Sequence, residues 1–153
     1  MTLEIPPAGT RGARMPGGPL VRTFGGVYAA LYRLLGGRLV GTRMLLLSTV
    51  GARSGRPRTA PVASFADGAG RWLVAGSAGG AARHPAWFIN LAHHPDQVWV
   101  EVGPQRFRVT PELLRGEERA VAWRQITARS PGFAGYARRT DREIPVVRLT
   151  RAE

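Results

Sequence analysis

Strand-length apolar runs in this chain follow one another through connections too short for a crossover. Asp67-Gly68-Ala69-Gly70 separates Thr59–Ala66 from Arg71–Ala75, and Gly103-Pro104 separates Gln97–Val102 from Arg106–Val109. Parallel neighbours need a connection of a dozen or more residues, so these pairs are antiparallel hairpins. Asp-Gly and Gly-Pro are also strong turn formers. Met44-Leu45-Leu46-Leu47-Ser48-Thr49-Val50, the most apolar run, reads as a buried strand, and Ile144–Leu149 reads as the last one.

Helical spacing appears elsewhere. Leu20, Phe24, Val27, Tyr28, Leu31 and Leu35 recur on one face of Pro19–Leu35, weakened by Gly25-Gly26 and stopped by Gly36-Gly37. Pro85–His93 reads as a short helix with Pro85 in its first turn and Pro95 beyond its end. Gly116–Arg129 reads as a helix, and Pro131–Arg138 as one or two further turns. Residues 1–18, rich in Pro and Gly, read as a disordered arm, and residues 19–153 as a single domain. The fold class is α+β, mainly β: a six-stranded antiparallel sheet with flanking helices, curled into a small or half-open barrel.

The chain has 153 residues and no cysteine, which excludes disulfides, thiolate metal sites and thiol nucleophiles. Its 22 basic residues are all arginine, and the formal net charge is +12. Such a surface attracts anions, and the planar guanidinium suits phosphate and carboxylate. No run reaches the roughly 18 apolar residues that span a bilayer, and the N-terminus lacks a signal-peptide core. The expectation is a soluble, cytoplasmic protein. Peripheral membrane contact through residues 19–38, near Arg22, Arg33, Arg38 and Arg43, stays open, as do monomer and homodimer.

GARSGRPRTAP, Gly51–Pro61, leaves the buried strand with Arg53, Arg56 and Arg58 in a short span. A P-loop needs Gly-Lys before Ser or Thr and then a helix; here a strand follows. Two readings stand for the loop: solvated arginines on an exposed hairpin, or an anion site. For the second, Gly55 allows close backbone approach and Ser54 adds a hydroxyl. GSAGGAARHPAWFINL, Gly76–Leu91, runs from a glycine loop into an aromatic helix start, where N–H groups suit an anion. Core packing is the better account of Trp87 and Leu91, and Asn90 reads as an amide that fixes a backbone segment. His84, His93 and His94 lack ligand spacing and read as solvated or capping residues. Phe133 and Tyr136 sit three apart, and core, lid or ligand contact are open readings. Asp141 and Glu143 read as surface partners of Arg138, Arg139 or Arg142. No triad or carboxylate pair stands out, so an enzyme of this kind takes its chemistry from a cofactor.

Three segments, Leu45–Val62, Asp67–Leu91 and Gly132–Val147, together resemble the deazaflavin-dependent nitroreductase family. These are small split-barrel proteins that use coenzyme F420. The motifs are G-x-x-S-G-x-P-R and, further on, G-G-x-x-x-x-P-x-W-x-x-N-L, and the likeness spans Met44 to Leu149. The resemblance implies a split β-barrel and an F420H2-dependent reductase. Such an enzyme passes hydride from reduced deazaflavin to a flat conjugated acceptor of quinone, nitroaromatic or enone type. It implies that Arg53, Ser54, Gly55 and Arg58 grip the coenzyme's phosphate and glutamate tail. Thr59, Ala60, Pro61, Val62 and Ala63 run along the deazaflavin. Ala75, Gly76, Ser77, Ala78, Gly79 and Gly80 lie against ring and phosphodiester. Ala86, Trp87, Phe88, Ile89 and Asn90 complete the pocket, with Phe133. Ser77 and Tyr136 are the candidate catalytic hydroxyls, and no metal is implied.

The sequence departs from relatives that act on quinones or nitroaromatics. Those often carry tyrosines where this chain has Ala63 and Phe133, and a lysine where it has Ala78. The acceptor pocket is expected to be wider and less polar. Split barrels also hold FMN or haem, so an FMN- or haem-using protein is one alternative. A non-catalytic F420 carrier is another. Nucleic-acid binding rests on charge alone and is not expected.

Overall fold

The computed structural model describes residues 2–14, 19–35 and 44–152 (for 19–24 the backbone alone). Gly36-Gly37, Arg38, Arg43 and the end of the expected arm, 15–18, lie outside the described residues. Helix α1 spans Pro19–Leu34, followed by β1 Met44–Val50, β2 Pro57–Ala63, β3 Phe65–Ala66 and β4 Arg71–Ala75. A single 3-10 turn, Ala78–Gly80, leads to α2 Ala86–His93. Then come β5 Trp99–Val102, β6 Gln105–Leu113, α3 Gly116–Arg129, α4 Gly132–Arg139 and β7 Val146–Arg151.

The strands form one sheet in the order β2-β1-β5-β6-β7-β4-β3, and every neighbouring pair is antiparallel. Its two ends, β2 and β3, are consecutive in the chain, separated by Ser64. The segment expected as one strand, Thr59–Ala66, is therefore two. Ala63 pairs with Met44 on β1, while Phe65 pairs with Leu73 on β4. That corner gives seven strands where six were expected, and it curls the sheet into a half-barrel. β6 also runs past the expected Val109. Pro111 lies where β6 has β7 on one side only, so its missing N–H costs no ladder bond there.

Period-2 alternation sorts the core. On β1, Leu45 and Leu47 face the barrel interior with Val100, Phe88 and Leu91, while Leu46 faces Ala29 and Tyr32 of α1. A strand covered on both faces reads as a continuous apolar run, as β1 does. Likewise Val74 and Val147 enter the interior, whereas Leu73 and Val146 join Ile126 of α3 in a second cluster. α1 keeps a further apolar stripe in solvent: Val27, Leu31 and Leu34 are 53%, 47% and 80% exposed. Among the described residues no helix is long and apolar enough to cross a membrane.

The N-terminal stretch differs from the expected disordered arm. Residues 2–14 lie along the barrel: the Leu3 N–H donates to Ala92 O (2.8 Å), Gly9 N–H to Ala82 O (2.8 Å) and Ala13 N–H to Gly80 O (3.0 Å). Asp141 accepts the N–H groups of Thr10 (2.8 Å) and Arg11 (3.0 Å) and the Thr10 hydroxyl. At Gly12 a β-carbon would lie 2.6 Å from Gly80 O, so the close approach requires glycine. These contacts join residues far apart in sequence, and no local pattern announces them.

Tyr32 ties α1 to the sheet. It is 1% exposed; its hydroxyl accepts the Gly103 N–H (2.9 Å) and reaches the carbonyls of Met44 (3.2 Å) and Glu101 (3.3 Å). Burial raises its pKa, with the Gly103 bond opposing. Tyr32→Phe leaves these groups unpaired and is expected to cost about 1–2 kcal/mol, read as a lower urea midpoint at unchanged m-value.

Candidate functional site

The curled sheet has a seam. β2 pairs with β1 on one side, and on its other side no strand pairs with it. Beyond β1, the elements that meet β2 are α1 and β4, and the Ala78–Gly80 turn packs against α4. Ala63 at one end of β2 packs on the cluster that holds Ala75, Phe133 and Tyr136. Arg58 stands at the other end, beside the hairpin loop. At about 3.3 Å per residue, the seven residues of β2 span roughly 20 Å. Register places Arg58 opposite Thr49 and Val62 opposite Leu45. Thr59 meets Ser48 on the other face, their hydroxyls 2.9 Å apart.

The β1–β2 loop is shaped by its own backbone and by α2. The Gly51 N–H donates to Arg56 O (2.8 Å), and Gly55 N–H to Gly51 O (2.9 Å). Ser54 Oγ accepts the Arg56 N–H (3.2 Å), which leaves its O–H free to donate. Asn90, read from sequence as fixing a backbone segment, does so here: its Oδ1 accepts the Ala52 N–H (2.9 Å), and its Nδ2 donates to Thr49 Oγ1 (3.4 Å). Arg53, Arg56 and Arg58 are exposed, and no carboxylate among the described residues pairs with them.

The second loop, Gly76–Ala81, is gathered by a residue the sequence reading placed at the surface. Arg142 is 6% exposed. Its Nε donates to Ala81 O (2.8 Å), Nη1 to Gly76 O (3.0 Å) and Nη2 to Ser77 O (2.8 Å). Nη1 also lies 3.2 Å from His84 Nδ1. A guanidinium only donates, so Nδ1 accepts; Nε2 then carries the proton and donates to Pro6 O (2.8 Å). Burial lowers the pKa of both Arg142 and His84; for His84 the Pro6 carbonyl opposes and the Arg142 charge adds. The neighbours of Arg142 are engaged elsewhere. Asp141 holds the N-terminal stretch, and Glu143 meets Arg119 Nε at 3.1 Å. Only a lone surface-like arginine shows in the sequence, so no local signal could have found this role.

The helices bring the aromatics to two places. On α2, Phe88 and Leu91 are fully buried, while Trp87 and Ile89 are half-buried and Ala86 is exposed. Phe88 thus lies in the barrel core, and Trp87, expected as a core residue, packs half-buried against it. On α4, Phe133 meets Phe65 edge-on at 5.6 Å and Tyr136 at 5.3 Å, and Arg139 lies over the Tyr136 ring. α4 packs against the 3-10 turn: a β-carbon on Gly80, whose φ is +84°, would sit 2.7 Å from Tyr136 O. The turn that follows Ser77 therefore touches the helix that carries Tyr136, and no described residue hydrogen bonds either hydroxyl.

Two clefts lie elsewhere. One, of about 280 Å³, is lined by Glu4, Arg115, Arg119 and Glu143, and another, of about 230 Å³, by Asp67, Glu118 and Arg148. Their charged side chains already pair: Arg115 with Glu4 (2.7 Å), Arg119 with Glu143, and Arg148 with Asp67 (2.7 Å). The seam, an open edge whose arginines pair with no carboxylate among the described residues, is the better candidate.

A half-barrel with an open seam, an arginine hairpin at one end and a glycine loop at the other defines a split-barrel protein of the flavin and deazaflavin type. The chain belongs to the F420H(2)-dependent quinone reductase family, whose sequence model matches residues 20–151. It is 36% identical over 142 residues to the F420H(2)-dependent quinone reductase Rv1261c of Mycobacterium tuberculosis, covering 90% of this chain and 94% of that protein. A solved F420-H2 dependent reductase, FDR-A, superposes with a TM-score of 0.63 at 33% identity, covering 70% of this chain and 93% of its own. A solved domain-swapped dimer superposes at 0.64 with 28% identity, covering 86% and 99%.

Two outcomes follow from the loop anchors. Asn90→Ala leaves the Ala52 N–H unpaired and is expected to cost about 1–3 kcal/mol in denaturant unfolding. His84 binds protons less readily folded than unfolded, since its folded pKa lies below the ordinary 6.5. Its contribution is complete above that pH and is lost as pH falls from there through the folded value. Thermal midpoints should decline over that window, and His84→Gln should flatten the decline. Asp141, held to about 2 chiefly by the Thr10 hydroxyl, adds a separate loss only below its ordinary 3.8.

Proposed function

We propose that this chain is an F420H2-dependent reductase that passes a hydride from reduced deazaflavin to a flat, quinone-type acceptor lying against the seam. The observation that carries the reading is the seam itself: a long unpaired strand edge with three exposed arginines at one end, which pair with no carboxylate among the described residues, and Phe133 and Tyr136 at the other. Family membership supports the coenzyme, and the residues present fit it. An elongated ligand with a flat head and an anionic tail matches a slot of roughly 20 Å with charge at one end.

When bound, the reduced coenzyme supplies a hydride from its ring carbon. Arg53 and Arg58 hold the phosphate and glutamate tail by charge-assisted hydrogen bonds, with Ser54 donating its hydroxyl. Thr59 to Ala63, on the open edge of β2, would run along the deazaflavin, and Gly76 to Gly80 would lie against it. Trp87 and Ile89 shield the slot from water, and Asn90 acts one step back by fixing the arginine loop. The Ser77 or Tyr136 hydroxyl would donate a hydrogen bond, or its proton, to the acceptor's oxygen. Ala63, Phe133 and Ala78 leave the acceptor side wide and apolar, which supports flat hydrophobic acceptors.

The exposed stripe of Val27, Leu31 and Leu34 supports a second element, contact of residues 19–38 with lipid, where hydrophobic quinones reside. Co-flotation with anionic vesicles, lost in Leu31→Glu, is the check on that element.

Titrating the protein with coenzyme F420 should change the coenzyme's fluorescence at micromolar concentration; no change sinks the reading. Arg58→Ala should weaken binding about 10- to 100-fold, since each such bond is worth about 1.5–3 kcal/mol. Arg124, exposed on α3 and paired with Glu117, is the control and should leave binding unchanged when replaced by Ala. Equal effects would place the anion elsewhere. Binding should also weaken with added salt.

A further inference from the structure

Residues 77–80 adopt an unusual run of dihedral angles. Ser77 is right-handed (φ −72°, ψ −36°), and Ala78, Gly79 and Gly80 follow at φ +47°, +62° and +84°. A right-handed residue followed by left-handed ones turns successive N–H groups into one concavity, which receives an anionic or carbonyl oxygen. The Gly80 and Ala81 N–H groups are spent on Ser77 O (2.8 Å) and Ala78 O (3.1 Å). The N–H groups of Ser77, Ala78 and Gly79 have no acceptor among the described residues. Ala78 has a β-carbon and resists a positive φ, so the conformation persists only where the surroundings impose it.

Arg142 imposes it. Its buried guanidinium takes the carbonyls of Gly76, Ser77 and Ala81 on one side of the loop. With the carbonyls gathered behind, the N–H groups between them are presented in front. His84 accepts a fourth guanidinium hydrogen and passes the tie to Pro6, so the N-terminal stretch closes over the same support. A lysine there keeps the charge but lacks the fork that reaches three carbonyls together.

We propose that Arg142 is a positioning residue for coenzyme binding: it folds Gly76–Ala81 so that the N–H groups of Ser77, Ala78 and Gly79 converge on an oxygen of the bound deazaflavin coenzyme. This rests on the coenzyme reading above and adds the residue that shapes its loop.

The test compares wild type, Arg142→Lys, Arg142→Ala and Arg58→Ala. Without coenzyme, amide exchange at Gly80 and Ala81 should speed at least tenfold in both Arg142 variants, while β1 and β5 amides keep wild-type rates. With coenzyme F420, both Arg142 variants should bind at least tenfold more weakly. Millimolar guanidinium should restore binding to Arg142→Ala and not to Arg58→Ala, a rescue that general destabilisation would not give. If Arg142→Ala does not fold, Arg142→Lys carries the same exchange and binding arms. Wild-type exchange at Gly80 and Ala81, or wild-type affinity in the variants, overturns the proposal alone. A wild-type protein that binds no coenzyme overturns the coenzyme reading with it, and the exchange arm then still reports whether Arg142 holds the loop.

Discussion

One short segment, Pro57–Ala66, supplies both edges of the sheet, and the rest of the molecule is arranged around that constraint. Because β2 pairs with β1 and β3 pairs with β4, the sheet must curl until its ends nearly meet. It is pinned at the Ser64 corner and opens toward Arg58, so the seam between β2 and β4 stays unzipped. A fully closed barrel would have paired the β2 edge with its neighbour and left nothing for a ligand. Here the β2 edge stays unpaired, and it is the slot proposed above for the coenzyme.

The alternating and turn-bounded parts of the fold are legible in sequence. β1 and β4 stand where Met44–Val50 and Arg71–Ala75 read as strands, and α3 matches Gly116–Arg129. Local rules suffice there, because burial on one or both faces writes itself into the residue pattern. Local rules fail where a distant partner decides. The break at Ser64 comes from a switch of ladder partner. The passage of β6 through Pro111 depends on which side of the strand is unpaired. The docking of residues 2–14 depends on Asp141 and on the carbonyls of Gly80 and Ala82.

The site divides in the same way. The arginine hairpin and the glycine loop stand out in sequence because what marks them is local composition: charge in one, backbone freedom in the other. Asn90 was legible as an amide that fixes backbone, though not which backbone. Its target, the arginine loop, lies 38 residues away. Phe88 is fully buried and Trp87 packs half-buried on the same core because α2 meets the barrel along the Phe88–Leu91 line, and one residue's rotation about a short helix decides which ring is covered completely.

Arginine is the chain's only cation, so the residue type carries no information about its use. Arg58 and Arg142 look alike in sequence, each beside small or acidic neighbours, and they do opposite things. Arg58 keeps its charge in solvent beside a hairpin with no carboxylate, which suits attraction of an anion from solution. Arg142 spends its charge inward, on the carbonyls of one loop and on a neutral imidazole. A buried guanidinium solvated by backbone oxygens is costly to assemble and costly to disrupt, because the Gly76 and Ala81 carbonyls have no other donor among the described residues. That asymmetry lets one side chain keep Ala78 at a backbone angle it would not choose. It also makes the conformation of the loop, more than the identity of its small residues, the part of the site that the arginine determines.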